Sequence, residues 1–241
     1  MTGAREILNV QGLSAGWGPL RVIHDLDLIV KSGERIGLVG LNGHGKSTLF
    51  YAIAGLTGWQ RGSVMLNGSE VGRTRSQGPG RYTHQIVHKG LALIPQGDEI
   101  FHGLTVEEHL DSGAFTARAW RERAERKKRI YQIFPPLVKL KDTSVGRLSG
   151  GERRMVSIGR GLMAEASLFL VDEPSLGLAP KIGKSVIDAL MAVDLGSSAM
   201  VIAEQNIALL EGKVDRIIGM HVGKLKGEAS AALMLNSKRE V

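Results

Sequence analysis

Gly40-Leu41-Asn42-Gly43-His44-Gly45-Lys46-Ser47 matches the phosphate-loop pattern G-x-x-x-x-G-K-[ST] at every fixed position. Each fixed residue has a physical task. Glycines let successive backbone N–H groups turn inward on a phosphate, Lys46 sets a positive charge beside the β and γ oxygens, and Ser47 offers a hydroxyl to Mg2+. The surroundings agree with that reading. Arg35-Ile36-Gly37-Leu38-Val39 is an apolar run suited to a buried strand, and Ser47 to Ala54 reads as a helix whose positive N-terminal end faces the anion. Strand, glycine loop and helix stand in the required order, so the chain is expected to bind a nucleoside triphosphate.

The 241 residues carry 31 Lys and Arg against 24 Asp and Glu, a net charge of +7, and no cysteine. That length suffices for one large domain, or for one domain with a smaller lobe. No stretch reaches the roughly eighteen uninterrupted apolar residues that a membrane span needs. Met1-Thr2-Gly3-Ala4-Arg5-Glu6 lacks an apolar h-region, and the lack of cysteine removes any disulfide framework; both suit a cytosolic compartment. The positive charge points to an acidic partner and is concentrated locally. Between residues 118 and 129, seven bases face only Glu122 and Glu125. Glu122 with Arg126 and Glu125 with Arg129 have the i, i+4 spacing of helical ion pairs. A solvated helix face is the first reading of this cluster, and contact with anionic headgroups or another acidic surface is the other.

Further along the chain, Ile7 to Val10 and Leu26 to Val30 read as strands, with turns at Gly16, at Gly18-Pro19 and over Lys31 to Glu34. Ser63 to Leu66 reads as a strand followed by the turn Asn67-Gly68, and Gly72 to Gly80 as an exposed loop. Leu91 to Ile94 is a buried strand. From Thr105 to Val138 helical patterning dominates and is expected to stop at Phe134-Pro135-Pro136, because proline cannot continue the helix. Helix from Glu152 to Ala164, strand from Leu168 to Val171, helix from Lys181 to Val193 and strand from Met200 to Ala203 then alternate. Such alternation implies a parallel sheet with helices on both faces.

Leu168 to Val171 runs into Asp172-Glu173, which puts two carboxylates at the C-terminal end of an apolar strand, the edge where open α/β sheets bind ligands. Asp172 is suited to holding Mg2+ and Glu173 to polarising the water that attacks a γ-phosphate. Leu148-Ser149-Gly150-Gly151-Glu152 leads into a helix. Ser149 and the glycines could present amides and a hydroxyl to an anion, while Ser149 with Glu152 three residues on is also sound capping chemistry. No G-x-S-x-G elbow occurs, so Ser149 has no case as a nucleophile. His84 and His88 have the spacing of a helical ligand pair but no third ligand nearby, and read as surface histidines.

Taken together, these stretches resemble the ATPase subunits of ABC transporters along nearly the whole chain, and most of all the branched-chain amino acid importer branch. Gly40 to Thr48 is similar to Walker A, Gln96 to the Q-loop residue, Leu148 to Glu152 to the signature, Leu168 to Glu173 to Walker B, and Pro174 to Pro180 to the D-loop of that branch. The resemblance implies one α/β cassette over 1–241, a P-loop NTPase with an antiparallel β portion at its start and a helical lobe inserted at about 97–147. It implies ATP and Mg2+ as ligands, with Gly40, Leu41, Asn42, Gly43, His44, Gly45, Lys46, Ser47 and Thr48 around the phosphates. Ser47, Gln96 and Asp172 would serve the metal, and Glu173 and Gln205 hydrolysis. Trp17 falls where the family stacks an aromatic on adenine, although a Trp beside glycines could equally be a core or surface anchor. The resemblance further implies a nucleotide-dependent dimer, a homodimer or a pair with a paralogous ATPase, in which Ser149, Gly150 and Gly151 of one subunit cap the ATP of the other. Membrane permease subunits would dock around Gln96 and the helical lobe at the cytoplasmic face, and no nucleic acid is expected.

Three positions depart from the common pattern. Gln205 stands at the switch-histidine position, as in the importer branch; an amide cannot titrate near neutrality, which leaves water activation to Glu173. His44 replaces a small residue and could lie outside the pocket or touch the partner subunit. The stretch from Gly68 to Gly90 is longer than in relatives. Cargo stays open among branched-chain amino acids, urea, short amides and aromatic acids. The rival from another class is a permease-free ABC ATPase acting on nucleic acid or the ribosome through the basic cluster; against it, the chain has neither a second cassette nor a coiled-coil insertion. A P-loop kinase would leave Leu148 to Glu152 without a role.

Overall fold

The computed structural model describes residues 5–72 and 82–228. In chain order the strands are β1 Glu6–Trp17, β2 Leu20–Lys31, β3 Arg35–Val39, β4 Trp59–Leu66, β5 Ser69–Gly72, β6 Leu91–Ile94, β7 Leu168–Asp172, β8 Ala199–Glu204, β9 Arg216–His221 and β10 Lys224–Glu228. The helices are α1 Lys46–Ile53, α2 Thr83–His88, α3 Val106–Asp111, α4 Ala117–Arg121, α5 Arg123–Ile133, α6 Gly150–Leu162 and α7 Pro180–Met191. Strands β2-β1-β4-β5 form an antiparallel sheet, and β10-β9-β3-β8-β7-β6 a second one. In the second sheet only β10 runs antiparallel to its neighbour.

The central strands β3, β7 and β8 are apolar except at the end residues Arg35, Asp172 and Glu204, because both of their faces are covered. Alternate residues nevertheless go to different cores, as the pleat dictates. Leu168, Leu170, Val201 and Ala203 pack with Leu49, Phe50 and Ile53 of α1 and with the antiparallel sheet. Phe169, Val171, Met200 and Ile202 pack with Val156 and Ile158 of α6 and Val186, Ile187 and Leu190 of α7. Full burial of each Val, Leu, Ile, Phe or Met side chain among these stabilises the fold by roughly 1.5–3 kcal/mol. Helices therefore flank the sheet on both sides, and all five parallel strands point their C-terminal ends toward the Gly40–Gly45 loop.

The expected turns over Lys31 to Glu34 and at Asn67-Gly68 form, the latter with φ of 51° and 74° at its two central residues. Gly16 is a correction: it lies inside β1, and the turn to β2 falls at Gly18-Pro19. A Cβ at Gly16 would stand 1.9 Å from the Leu20 carbonyl oxygen, so this glycine serves a close approach of strands rather than a turn. The expected loop from Gly72 to Gly80 falls outside the described residues after Gly72.

Helical patterning from Thr105 to Val138 resolves into three short helices. Thr105 opens α3 with a capping box to Glu108, and the Thr116 hydroxyl caps α4 at the Ala119 amide. The α-helix does end at Ile133, but Pro135 and Pro136 open a 3-10 turn over Pro135–Leu140, at positions that need no donor N–H. No strand of either sheet lies between Ile94 and Gly150. On the basic cluster, Glu122 pairs with Arg126 at 2.8 Å and Arg118 at 3.0 Å, Glu165 takes Arg118 at 3.1 Å, and Lys127 reaches Glu107 and Asp111. The expected pair of Glu125 with Arg129 does not form. No helix among the described residues is long and apolar enough to cross a membrane.

Candidate active site

Gly40 leaves β3 through a gap that only glycine fits: a Cβ there would stand 2.4 Å from the Met220 carbonyl oxygen of β9. Gly43 and Gly45 take φ of 81° and 100°, the left-handed region open to glycine. Gly45 then caps α1 without a side-chain bond, and no acidic residue occupies the first turn. The helix start therefore presents backbone amides and the positive end of its dipole toward the loop. Leu41, Asn42 and Gly43 form the exposed crest, with Ser47 and Thr48 half-buried beneath it.

Lys46 is buried, and its ammonium donates to the Gly40 carbonyl at 2.7 Å and the Leu41 carbonyl at 3.2 Å. It also pairs with Glu173 at 2.9 Å. Walker-type lysine and strand-end glutamate, 127 positions apart in sequence, thus meet at the C-terminal edge of the parallel sheet. Glu173 has φ of 42°, a conformation that costs a non-glycine residue about 1–3 kcal/mol. Its amide is held by the Ala203 carbonyl at 2.9 Å.

Asp172 is 1% exposed, and its Oδ1 has no hydrogen-bond partner. Burial holds its carboxyl above the ordinary aspartate range; the Ser47 hydroxyl pulls it back and the neighbouring Glu173 charge raises it further. A buried, unpartnered carboxylate oxygen beside a serine hydroxyl is a hard-oxygen donor set of the kind that Mg2+ takes. The expected metal residues Asp172 and Ser47 fit such an ion on that ground. Gln96, expected with them, is exposed just beyond β6.

Ser149 caps α6: its hydroxyl and amide reach Glu152 at 2.7 and 2.8 Å, which realises the capping reading. Among the described residues, no hydrogen bond or ion pair joins Ser149, Gly150 or Gly151 to the phosphate loop of the same chain. Trp17, 40% exposed, meets Tyr51 of α1 edge-on at 6.1 Å. Gln205 is exposed past the end of β8. His44 turns to its own chain: Nδ1 lies 3.1 Å from the Met220 carbonyl, and its ring stands edge-on to His221 at 4.7 Å.

Two buried charges here were not foreseen. Glu204, 3% exposed, accepts from the Ser175 amide at 3.0 Å and the Gln205 amide at 3.3 Å. Burial raises its pKa, and the bonds from Ser175 oppose that rise. Arg154, 2% exposed, spends its guanidinium on the carbonyls of Pro95, Gly97, Asp172 and Pro174. Burial lowers its pKa. Glu204 gave the same signal as Asp172, an acid closing an apolar strand; Arg154 gave a fainter one, a charge four residues before Ile158 on a core-facing stripe.

The sequence profile of the family described as ABC transporter matches residues 23–176. BraG of Pseudomonas aeruginosa, a high-affinity branched-chain amino acid transport ATP-binding protein, is 33% identical over 233 residues, 96% of this chain and 97% of that protein. LptB of Haemophilus influenzae, a lipopolysaccharide export system ATP-binding protein, is 29% identical over 242 residues, 97% of this chain and 95% of that one. A nucleotide-free ATP-binding cassette from an ABC transporter shares the fold at a TM-score of 0.75 and 22% identity, over 98% of this chain and 96% of that one.

Proposed function

The chain belongs to the ABC transporter family of ATP-hydrolysing subunits, and from that premise we propose that it energises import of branched-chain amino acids or related small polar solutes. The convergence of Lys46, Ser47, Asp172 and Glu173 on one sheet edge carries the ATPase part of this reading. Similarity to BraG over nearly both chains supports the import part.

In this reading the amides of Gly40 to Thr48 and the Lys46 ammonium bind the β- and γ-phosphates. Seating a triphosphate draws the ammonium toward phosphate oxygens and away from Glu173, which frees that carboxylate to accept a proton from water. Asp172, Ser47 and Gln96 would hold Mg2+, which when bound would supply positive charge to the phosphate oxygens. Gln205 donates its amide to the γ-phosphate, and Trp17 stacks on the adenine, an interaction worth roughly 1–3 kcal/mol. Ser149, Gly150 and Gly151 complete the site of a second subunit, in a two-fold dimer that works at the cytoplasmic face of the membrane against permease subunits. The test is uptake of labelled leucine by cells that carry, lack or bear Glu173→Gln in the chain. Uptake that falls with both changes is expected; unchanged uptake alongside lost lipopolysaccharide export would reject import.

A further inference from the structure

Arg154 is among the largest fully buried side chains of the molecule, and the reading above makes no use of it. Among the described residues no carboxylate pairs with it, and its hydrogen bonds go to backbone carbonyls. Its Nη1 donates to the Pro95 carbonyl at 2.9 Å and to that of Gly97, the two carbonyls flanking Gln96. Its Nη2 reaches the Asp172 carbonyl at 2.9 Å, and its Nε the Pro174 carbonyl at 3.2 Å. A buried charge of this kind is weak evidence for stability, since an apolar side chain of similar volume often serves as well. What only the planar fork provides is a fixed position for four backbone oxygens at once.

Two of those oxygens bracket Glu173. The peptide unit from Asp172 to Glu173 is held at its oxygen by Arg154 and at its nitrogen by the Ala203 carbonyl, 2.9 Å away. The unit from Pro174 to Ser175 is held at its oxygen by Arg154 and at its nitrogen by the buried Glu204, 3.0 Å away. A planar peptide gripped at both ends cannot rotate. Glu173 itself sits in the left-handed region, which persists only where the surroundings over-determine it.

We propose that Arg154 and Glu204 are positioning residues that clamp the peptides on either side of Glu173, and through Pro95 and Gly97 the backbone of Gln96, so that Glu173 is held in place for the attacking water and Gln96 for the metal. This rests on the reading of Glu173 as the group that polarises water. Arg154 rides on α6 five residues after Ser149, so the same helix that offers the signature sets the aim of the glutamate.

The test compares Arg154→Met, Arg154→Lys, Glu204→Leu, Glu204→Gln and Glu173→Gln in the purified full chain, by steady-state hydrolysis, equilibrium ATP binding and thermal melting. Arg154→Met is expected to lower kcat roughly tenfold or more, because misplacement by an ångström is costly to the chemical step, with KM and ATP affinity within about twofold. Arg154→Lys keeps the charge but not the fork and recovers only part of the loss. Glu204→Gln, which keeps an acceptor for the Ser175 amide, recovers roughly half or more of what Glu204→Leu loses. Wild-type kcat in Arg154→Met, full recovery by Arg154→Lys, or a parallel fall of kcat, ATP affinity and melting temperature would overturn the clamp. Should Arg154→Met not fold, the two Glu204 variants decide by the same criteria. Glu173→Gln turning over at the wild-type rate would remove the reading of Glu173 itself, whereas an inactive Glu173→Gln beside a fully active Arg154→Met would remove only the clamp.

Discussion

Glu173 combines three properties that seldom meet in one carboxylate: burial, a left-handed backbone and an ion pair to the phosphate-loop lysine. If it accepts the proton of the attacking water, Glu173→Gln should still bind ATP while hydrolysis falls by roughly a hundredfold or more. Nucleotide binding by fluorescence and phosphate release measured on the same preparation check this, and near-normal release would reject the role. Lys46, Asp172 and Glu173 were legible because glycine spacing and an acid-terminated apolar strand are local patterns. Arg154 was not, since its partners are carbonyls of Pro95 and Gly97 just beyond β6, of Asp172 at the end of β7 and of Pro174, and nothing near it in sequence marks them. Glu204 stood in plain view as the acid closing β8, but its task is defined by a Ser175 amide 29 positions earlier.

At the scale of elements, His109 on α3 offers a pH-dependent probe of the segment between the two halves of the parallel sheet. Its Nε2 accepts from the Phe101 amide at 3.2 Å, its Nδ1 is buried without a partner, and burial with the Arg160 charge lowers its pKa to about 4. A histidine with a folded pKa of about 4 and an unfolded one of about 6.5 binds fewer protons folded than unfolded in that window. Its contribution to stability is complete above pH 6.5 and is lost as the pH falls toward 4, about 2 kcal/mol of it between pH 7 and 5. His109→Gln should flatten that part of the pH dependence in urea melts, and an unchanged slope would show that His109 does not titrate there. Gly113, just past α3, would carry a Cβ 2.0 Å from the Arg160 carbonyl oxygen. Gly113→Ala should therefore cost about 1–3 kcal/mol in the same melts, and a neutral result would mean that α6 can yield. Close approaches like this one, and like Gly16 against Leu20, account for the misjudged boundaries. A turn glycine and a contact glycine look alike until the opposing backbone is known. Strand β10, Lys224-Leu225-Lys226-Gly227-Glu228, lacks the continuous apolar run that betrays β3, β7 and β8, whereas β9 carries one in Ile217-Ile218-Gly219-Met220 and was legible in principle.

For the whole molecule, the decisive asymmetry lies between what one chain gathers and what it leaves apart. Lys46, Ser47, Asp172 and Glu173 meet within a chain, whereas Ser149 is bonded to Glu152 of its own helix and makes no bond to the phosphate loop. The Ser149 amide and hydroxyl both lean on a Glu152 carboxylate at the exposed start of α6, where a triphosphate carried by a second copy could compete for them. In a two-fold pair each site would then draw its lysine from one subunit and its signature serine from the other. Ser149→Arg should abolish hydrolysis by blocking the cap, and Lys46→Ala by removing the ammonium, each inactive when tested alone. Mixed in equal amounts, the two variants form pairs in which one site has both lesions and the other has neither, so activity should reappear at up to about a quarter of the wild-type level. A dilution series read by phosphate release would show this recovery rising with concentration. A mixture no more active than either parent at any concentration would mean that the serine and the lysine do not share a nucleotide.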